Sequence, residues 1–149
     1  MDRHERRMVE VSLLVGLTLV AASCGGDEAP DVGAADRTES AALADYSITL
    51  NESSAPEGDV TFEVTNHAEQ VHEFVVLKTE LAEDALPTDE NGDVDEAGDP
   101  GIALVDEIED IEGGATQSLT VTMDAGSYVL ICNLPGHYSQ GMHAGFTVE

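Results

Sequence analysis

From Ala44 to the C-terminus, apolar and polar residues alternate with a period of two. In "DYSITL" the apolar positions are Tyr46, Ile48 and Leu50; in "DVTFEVTN" they are Val60, Phe62 and Val64; in "QSLTVTM" they are Leu119, Val121 and Met123. Successive side chains of a strand point to opposite faces, so such runs predict strands with one face buried. "VHEFVVLK" and "SYVLIC" are more continuously apolar and predict central strands. Turn residues separate the runs at Pro56-Glu57-Gly58, Gly113-Gly114 and Asp124-Ala125-Gly126. Short strands punctuated this way favour an all-β, antiparallel sandwich or barrel.

Residues 79–112 break the rhythm. They carry fourteen carboxylates and no lysine or arginine. An insertion of this length inside a compact domain is usually functional or mobile. "ELAEDAL" predicts one helical turn or two. Asp89, Asn91, Asp93 and Asp95 alternate as in a Ca²⁺ loop, but Val94 stands where the EF-hand needs glycine and Pro100 where it needs its bidentate glutamate. A solvated acidic loop, a docking face and a divalent site all remain open.

The N-terminus has the layout of an export signal. Arg3, Arg6 and Arg7 precede an apolar run from Val11 to Ala22, shorter than the roughly 20 residues that span a bilayer. "AASC" resembles the lipobox of exported lipoproteins, with Cys24 the lipidated residue and Ala21 where that motif prefers leucine. The expected organisation is a signal peptide over residues 1–23, a lipidated N-terminus and flexible tether over 24–43, and a folded domain over 44–149. The protein would sit on the extracytoplasmic side of the membrane through that lipid anchor. The Arg6-Arg7 pair leaves Sec and twin-arginine export both open.

Formal net charge is −26, and beyond residue 23 only Arg37 and Lys78 are basic. That excludes nucleic-acid binding through a basic surface. The acidity fits either steering of a basic partner or solubility in a salty habitat, where screening weakens steering.

The chain has two cysteines, Cys24 and Cys132. With Cys24 lipidated, Cys132 has no intramolecular partner, and a lone thiol outside the cytoplasm oxidises unless it is buried, used or metal-bound. It lies in "YVLICNLPGHYSQGMHAGFTVE", where Cys132, His137 and Met142 are spaced C-x4-H-x4-M between two predicted strands. Pro135, Gly136, Gly141 and Gly145 let that loop turn tightly enough for the three side chains to converge. A fourth ligand must come from elsewhere, and His72, at the start of "HEFVVL", is the best candidate. Two histidines, a cysteine and a weak axial methionine are the ligand set of a mononuclear blue-copper site. Each residue also has a plainer reading as packing or surface. His67 reads as a surface residue, Tyr128 and Tyr138 as packing. His143, beside Met142, is a competing ligand or a neighbour of the site.

At these residues the chain resembles the cupredoxins, with a C-x4-H-x4-M loop like those of rusticyanin, auracyanin and sulfocyanin. The resemblance includes the upstream pair "DVTFEVTNHAEQVHEFVVL" and covers about Ala44 to Glu149, with 79–112 as a variable insertion. It implies an antiparallel Greek-key β-sandwich, one type 1 copper ion on His72, Cys132, His137 and Met142, and one-electron transfer rather than catalysis. It also implies exchange with a redox protein partner, respiratory or oxidase, by a monomer. Electrons would pass through His137, with Leu134, Pro135 and Ala144 as an apolar docking rim. In plastocyanin and azurin an asparagine after the first histidine ties the ligand strand to the cysteine loop. Here Glu73 follows His72, and a carboxylate accepts hydrogen bonds but does not donate them. Asn66 and Asn133 are candidate substitutes.

A zinc site is disfavoured by the methionine. A binuclear copper centre would need a second cysteine in the loop. A cysteine hydrolase lacks an oxyanion-hole motif. An envelope protein that binds and delivers copper without cycling electrons is the alternative.

Overall fold

The computed structural model describes residues 37–96 and 98–149. The export signal, the Arg6-Arg7 pair and Cys24 lie outside them. Nine strands occupy the described chain: β1 Arg37–Ala44, β2 Ser47–Leu50, β3 Ser54–Ala55, β4 Gly58–Asn66, β5 His72–Thr79, β6 Ile102–Ile111, β7 Thr116–Met123, β8 Gly126–Ile131 and β9 His143–Val148. They form a four-stranded sheet in the order β2-β1-β4-β7 and a five-stranded sheet in the order β3-β9-β8-β5-β6. The pairing is mostly antiparallel, with β1 on β4 and β3 on β9 as the parallel exceptions.

The period-two pattern does what it predicts. In β4, Val60, Phe62 and Val64 are fully buried, while Thr61, Glu63 and Thr65 are not. Their inner face meets that of the other sheet: Phe62 packs against Phe74 and Phe146, each with ring centroids 5.4 Å apart. Leu43, Val121 and Met123 join from one sheet, and Val76, Leu130 and Val148 from the other. A sandwich is therefore held by interdigitating apolar faces.

The continuously apolar strands β5 and β8 are central, as expected, and both their faces are covered. Val75, Leu77, Val129 and Ile131 point away from the main core into a second cluster with Leu86, Val94, Ile102 and Tyr138. Leu86 and Val94 belong to the acidic insertion, which thus shields the outer face of the sheet.

Three expectations need correction. Residues 37–43, assigned to the flexible tether, form most of β1, which pairs with β4 from Arg37↔Val60 to Leu43↔Asn66. Small residues dominate this strand, which hid its period; Ala41 and Leu43 nonetheless point into the core. The second half of the 79–112 segment is β6, an edge strand that exposes Asp106, Glu109 and Asp110 together with Ala103 and Leu104. "ELAEDAL" forms no helix, only a turn closed by Ala85 N–H on the Ala82 carbonyl at 2.9 Å. Glu80, Glu83 and Asp84 would repel at helical spacing, and a segment stopped by Pro87 is too short to repay helix nucleation.

Candidate metal centre

β5 begins with His72, β8 runs into Cys132, and β9 begins just after Met142, all at one end of the sandwich. There the strand ends bring the four predicted positions to one place. Cys132 N–H donates to the Met142 carbonyl at 3.1 Å, closing the base of the loop, and Met142 N–H donates to the His137 carbonyl at 3.2 Å. A single 3₁₀ turn, Tyr138–Gln140, follows His137, and Gly141 ends it in the left-handed region at φ 107°. Glycine occupies that conformation without the clash a Cβ brings.

Three donor atoms converge. His72 Nδ1 is 3.2 Å from His137 Nδ1 and 3.8 Å from Cys132 Sγ, and Cys132 Sγ is 3.3 Å from His137 Nδ1. A trigonal ion with bonds of about 2.0 Å to nitrogen and about 2.3 Å to sulfur would separate its ligands by roughly 3.5–3.7 Å. The observed triangle brackets that size. Among the described residues, this is the group of three or more His, Cys, Asp or Glu atoms close enough to hold an ion. Met142 is fully buried in the core cluster that also holds Cys132.

The electrostatics suit a cation. Burial lowers the pKa of His72, and neighbouring His137 lowers it further. Burial likewise lowers that of His137, against the carboxylates of Asp45 and Asp93, which raise it. Both imidazoles are thereby held neutral and ready to donate a lone pair. Burial pushes the Cys132 thiol up, while the backbone N–H groups of Glu73 and Leu134 favour its thiolate. A bound metal ion stabilises that thiolate outright. These residues fit a soft-to-borderline ion.

The two histidines differ in exposure. His72 is fully buried. His137 is half-buried and meets the edge of Tyr46, ring centroids 5.3 Å apart at 80°. Tyr46 was expected as an inward strand position. It is instead the exposed tip of the β1–β2 hairpin, at φ 59°. A left-handed tyrosine costs roughly 1–2 kcal/mol. Only the fold could reveal this neighbour, since nothing near Tyr46 in sequence marks a turn needing positive φ.

The tie between the ligand strand and the cysteine loop is made by Glu73. Its Oε1 accepts the Asn133 N–H at 2.6 Å. Asn133 spends its side chain elsewhere, on the backbone of Val94 and on Glu96. Asn66 takes no part, holding the turn after β4 to the Gln70 and Ile111 carbonyls, each at 2.8 Å. His143 is not in the triangle. It packs on Tyr138 at 5.3 Å, with Nδ1 3.9 Å from Glu83. His67 is exposed, as expected. Leu134 and Ala144 pack partly on the core, with Pro135 exposed beside them.

The Asp89–Asp95 alternation serves turns. Asp89 Oδ1 accepts N–H bonds from Asn91 at 2.8 Å and Asp93 at 3.1 Å, and Asp95 accepts one from Gly98 at 2.7 Å.

The family of copper binding proteins, plastocyanin/azurin family, matches residues 40–149. The chain belongs to this family. Among solved structures it is similar to dithionite-reduced auracyanin from Roseiflexus castenholzii, with 23% identity, 78% of this chain and 99% of that chain covered, and a TM-score of 0.55. It is also similar to rusticyanin from Thiobacillus ferrooxidans, with 18% identity, 76% and 78% covered, and a TM-score of 0.55. These likenesses establish the cupredoxin fold. A search of curated protein sequences finds no significant match.

Proposed function

We propose that this chain is a type 1 copper protein that carries single electrons between redox partners on the extracytoplasmic side of a membrane, tethered by lipid on Cys24. The observation that carries the reading is the convergence of His72 Nδ1, Cys132 Sγ and His137 Nδ1 at the end of a cupredoxin sandwich. Copper bound there supplies a one-electron couple between its two oxidation states. His72 and His137 would hold it through Nδ1, Cys132 as the thiolate and Met142 through its thioether. Burial of His72, Cys132 and Met142 keeps water from the inner side of the site and limits rearrangement between oxidation states. His137 is the more exposed imidazole, so the shortest route from site to surface runs through its ring and past Tyr46. The family match and the absence of a Met- or His-rich exposed tract in residues 37–149 favour a carrier over a copper-delivery protein.

The test is a Cu(II) titration of the protein from Gly25 onward, followed by visible absorption and electron paramagnetic resonance, then ascorbate reduction and reoxidation. An intense thiolate-to-copper band with narrow hyperfine splitting, reversibly bleached, is the expected result. Loss of copper on reduction would transfer the role to copper delivery. The anchor is checked by metabolic labelling with a palmitate analogue, which Cys24→Ala should abolish.

A further inference from the structure

The acidic insertion does more than cover the sheet. Residues 83–96 reach the metal loop at the positions flanking two of its proposed ligands. Next to Cys132, Asn133 pairs with Val94 in both directions: Val94 N–H to Asn133 Oδ1 at 2.7 Å, and Asn133 Nδ2 to the Val94 carbonyl at 2.9 Å. Just before His137, Gly136 N–H donates to Asp93 Oδ1 at 3.0 Å. Just after it, the Tyr138 hydroxyl donates to the Glu83 carbonyl at 3.0 Å and accepts the Leu86 N–H at 2.8 Å. Gly92, at φ 86°, passes so close to Ser139 that a Cβ there would lie 2.6 Å from its Oγ.

The segment is itself rigid enough to hold something. Thr88 and Val94 form a bridge, Asp89 closes the turn between them, and Leu86 and Val94 are buried against β5 and β8. The loop it grips contains Pro135, Gly136 and Gly141, with the two glycines in the left-handed region. Such a loop has wide conformational freedom unless tertiary contacts remove it.

We infer that residues 83–96 are a strap that fixes the metal loop before copper arrives, with Asp93, Asn133 and Tyr138 as positioning residues. This rests on the copper reading above, and it adds what keeps that site's geometry constant. Cysteine and histidine ligands are placed by backbone held from outside the loop, so the site resists rearrangement when its charge changes.

The experiment compares Tyr138→Phe and Asp93→Ala with the unaltered protein, and Asp93→Asn as the variant that keeps an acceptor oxygen. Amide hydrogen exchange of the metal-free protein reads the strap directly. Electron self-exchange and paramagnetic resonance of the copper form read its effect on the site. In Tyr138→Phe and Asp93→Ala, exchange at Asn133, Gly136 and His137 should quicken by about fivefold, since each hydrogen bond contributes about 1 kcal/mol. Self-exchange should slow and hyperfine splitting widen, with Asp93→Asn close to the unaltered protein. Unchanged amide exchange overturns the strap. Faster amide exchange with identical copper spectra and self-exchange overturns its positioning role. An absent thiolate band in the unaltered protein sinks the copper reading itself, and amide exchange alone then decides whether the strap holds the loop.

Discussion

Glu73 Oε1 accepts the backbone N–H of Asn133 at 2.6 Å, joining the strand that starts at His72 to the loop that starts at Cys132. The sequence distance is sixty residues, yet the bond links the neighbours of two proposed ligands. Only an acceptor is needed there, and the Glu73 carboxylate supplies it.

That carboxylate makes stability depend on pH. Burial raises its pKa from 4.5 to about 7; the Asn133 N–H opposes this, while Glu96, Glu107 and Glu109 add to it. Between these values the native state holds a proton that the unfolded chain releases. The contribution is therefore full below about pH 4.5 and is lost as pH rises towards 7. For a half-exposed group, solvent screening reduces it to roughly 1–2 kcal/mol. Denaturant unfolding of the metal-free protein should show the stability difference between wild type and Glu73→Gln falling across this window. A pH-independent difference would remove Glu73 as the cause.

Cys132→Ser should abolish the intense visible band while the chain stays folded. A serine hydroxyl does not ionise to give the sulfur-to-copper transition, and it nearly matches the thiol in size. Burying the hydroxyl costs about 1–3 kcal/mol if it finds no partner. Circular dichroism and the copper spectrum separate loss of colour from loss of fold. A retained band would exclude Cys132 as the ligand.

Met142→Gln should keep copper and lower the reduction potential. The three strong donors are untouched, and an amide oxygen favours the higher oxidation state more than a thioether does. Voltammetry checks this directly. An unchanged potential would argue that Met142 is packing only.

Phe62→Ala should cost about 3–5 kcal/mol, because it opens a cavity between the sheets where Phe74 and Phe146 both lose a partner. A lowered denaturant midpoint with little change in slope is the expected signature. A loss under 1 kcal/mol would mean that the two sheets do not depend on this contact.

Local pattern determined a good deal. Alternation at Val60, Phe62 and Val64 identifies a one-sided strand, since side-chain period and strand geometry are the same physical fact. The near-continuous apolar run of β5 announces a strand buried on both faces, and the second cluster around Val75 and Leu77 shows what covers the outer one. The spacing of Cys132, His137 and Met142, with His72 upstream, points to a copper ligand set, and the donor atoms of His72, Cys132 and His137 do converge.

Tertiary structure decided the rest, wherever a residue's role depends on something distant in the chain. Residues 37–43 read as a tether because alanine and serine carry little periodic signal, and their strand exists through pairing with β4. The acidic segment reads as solvated by composition, yet Leu86 and Val94 anchor it and Asp93 and Asn133 bind it to the metal loop. Tyr46 gives no local hint that it will sit in a strained turn against His137. A ligand set can be written in spacing, because donors on one loop are local. The contacts that fix its geometry cross from sheet to strap to loop, and they form only when the whole chain has packed.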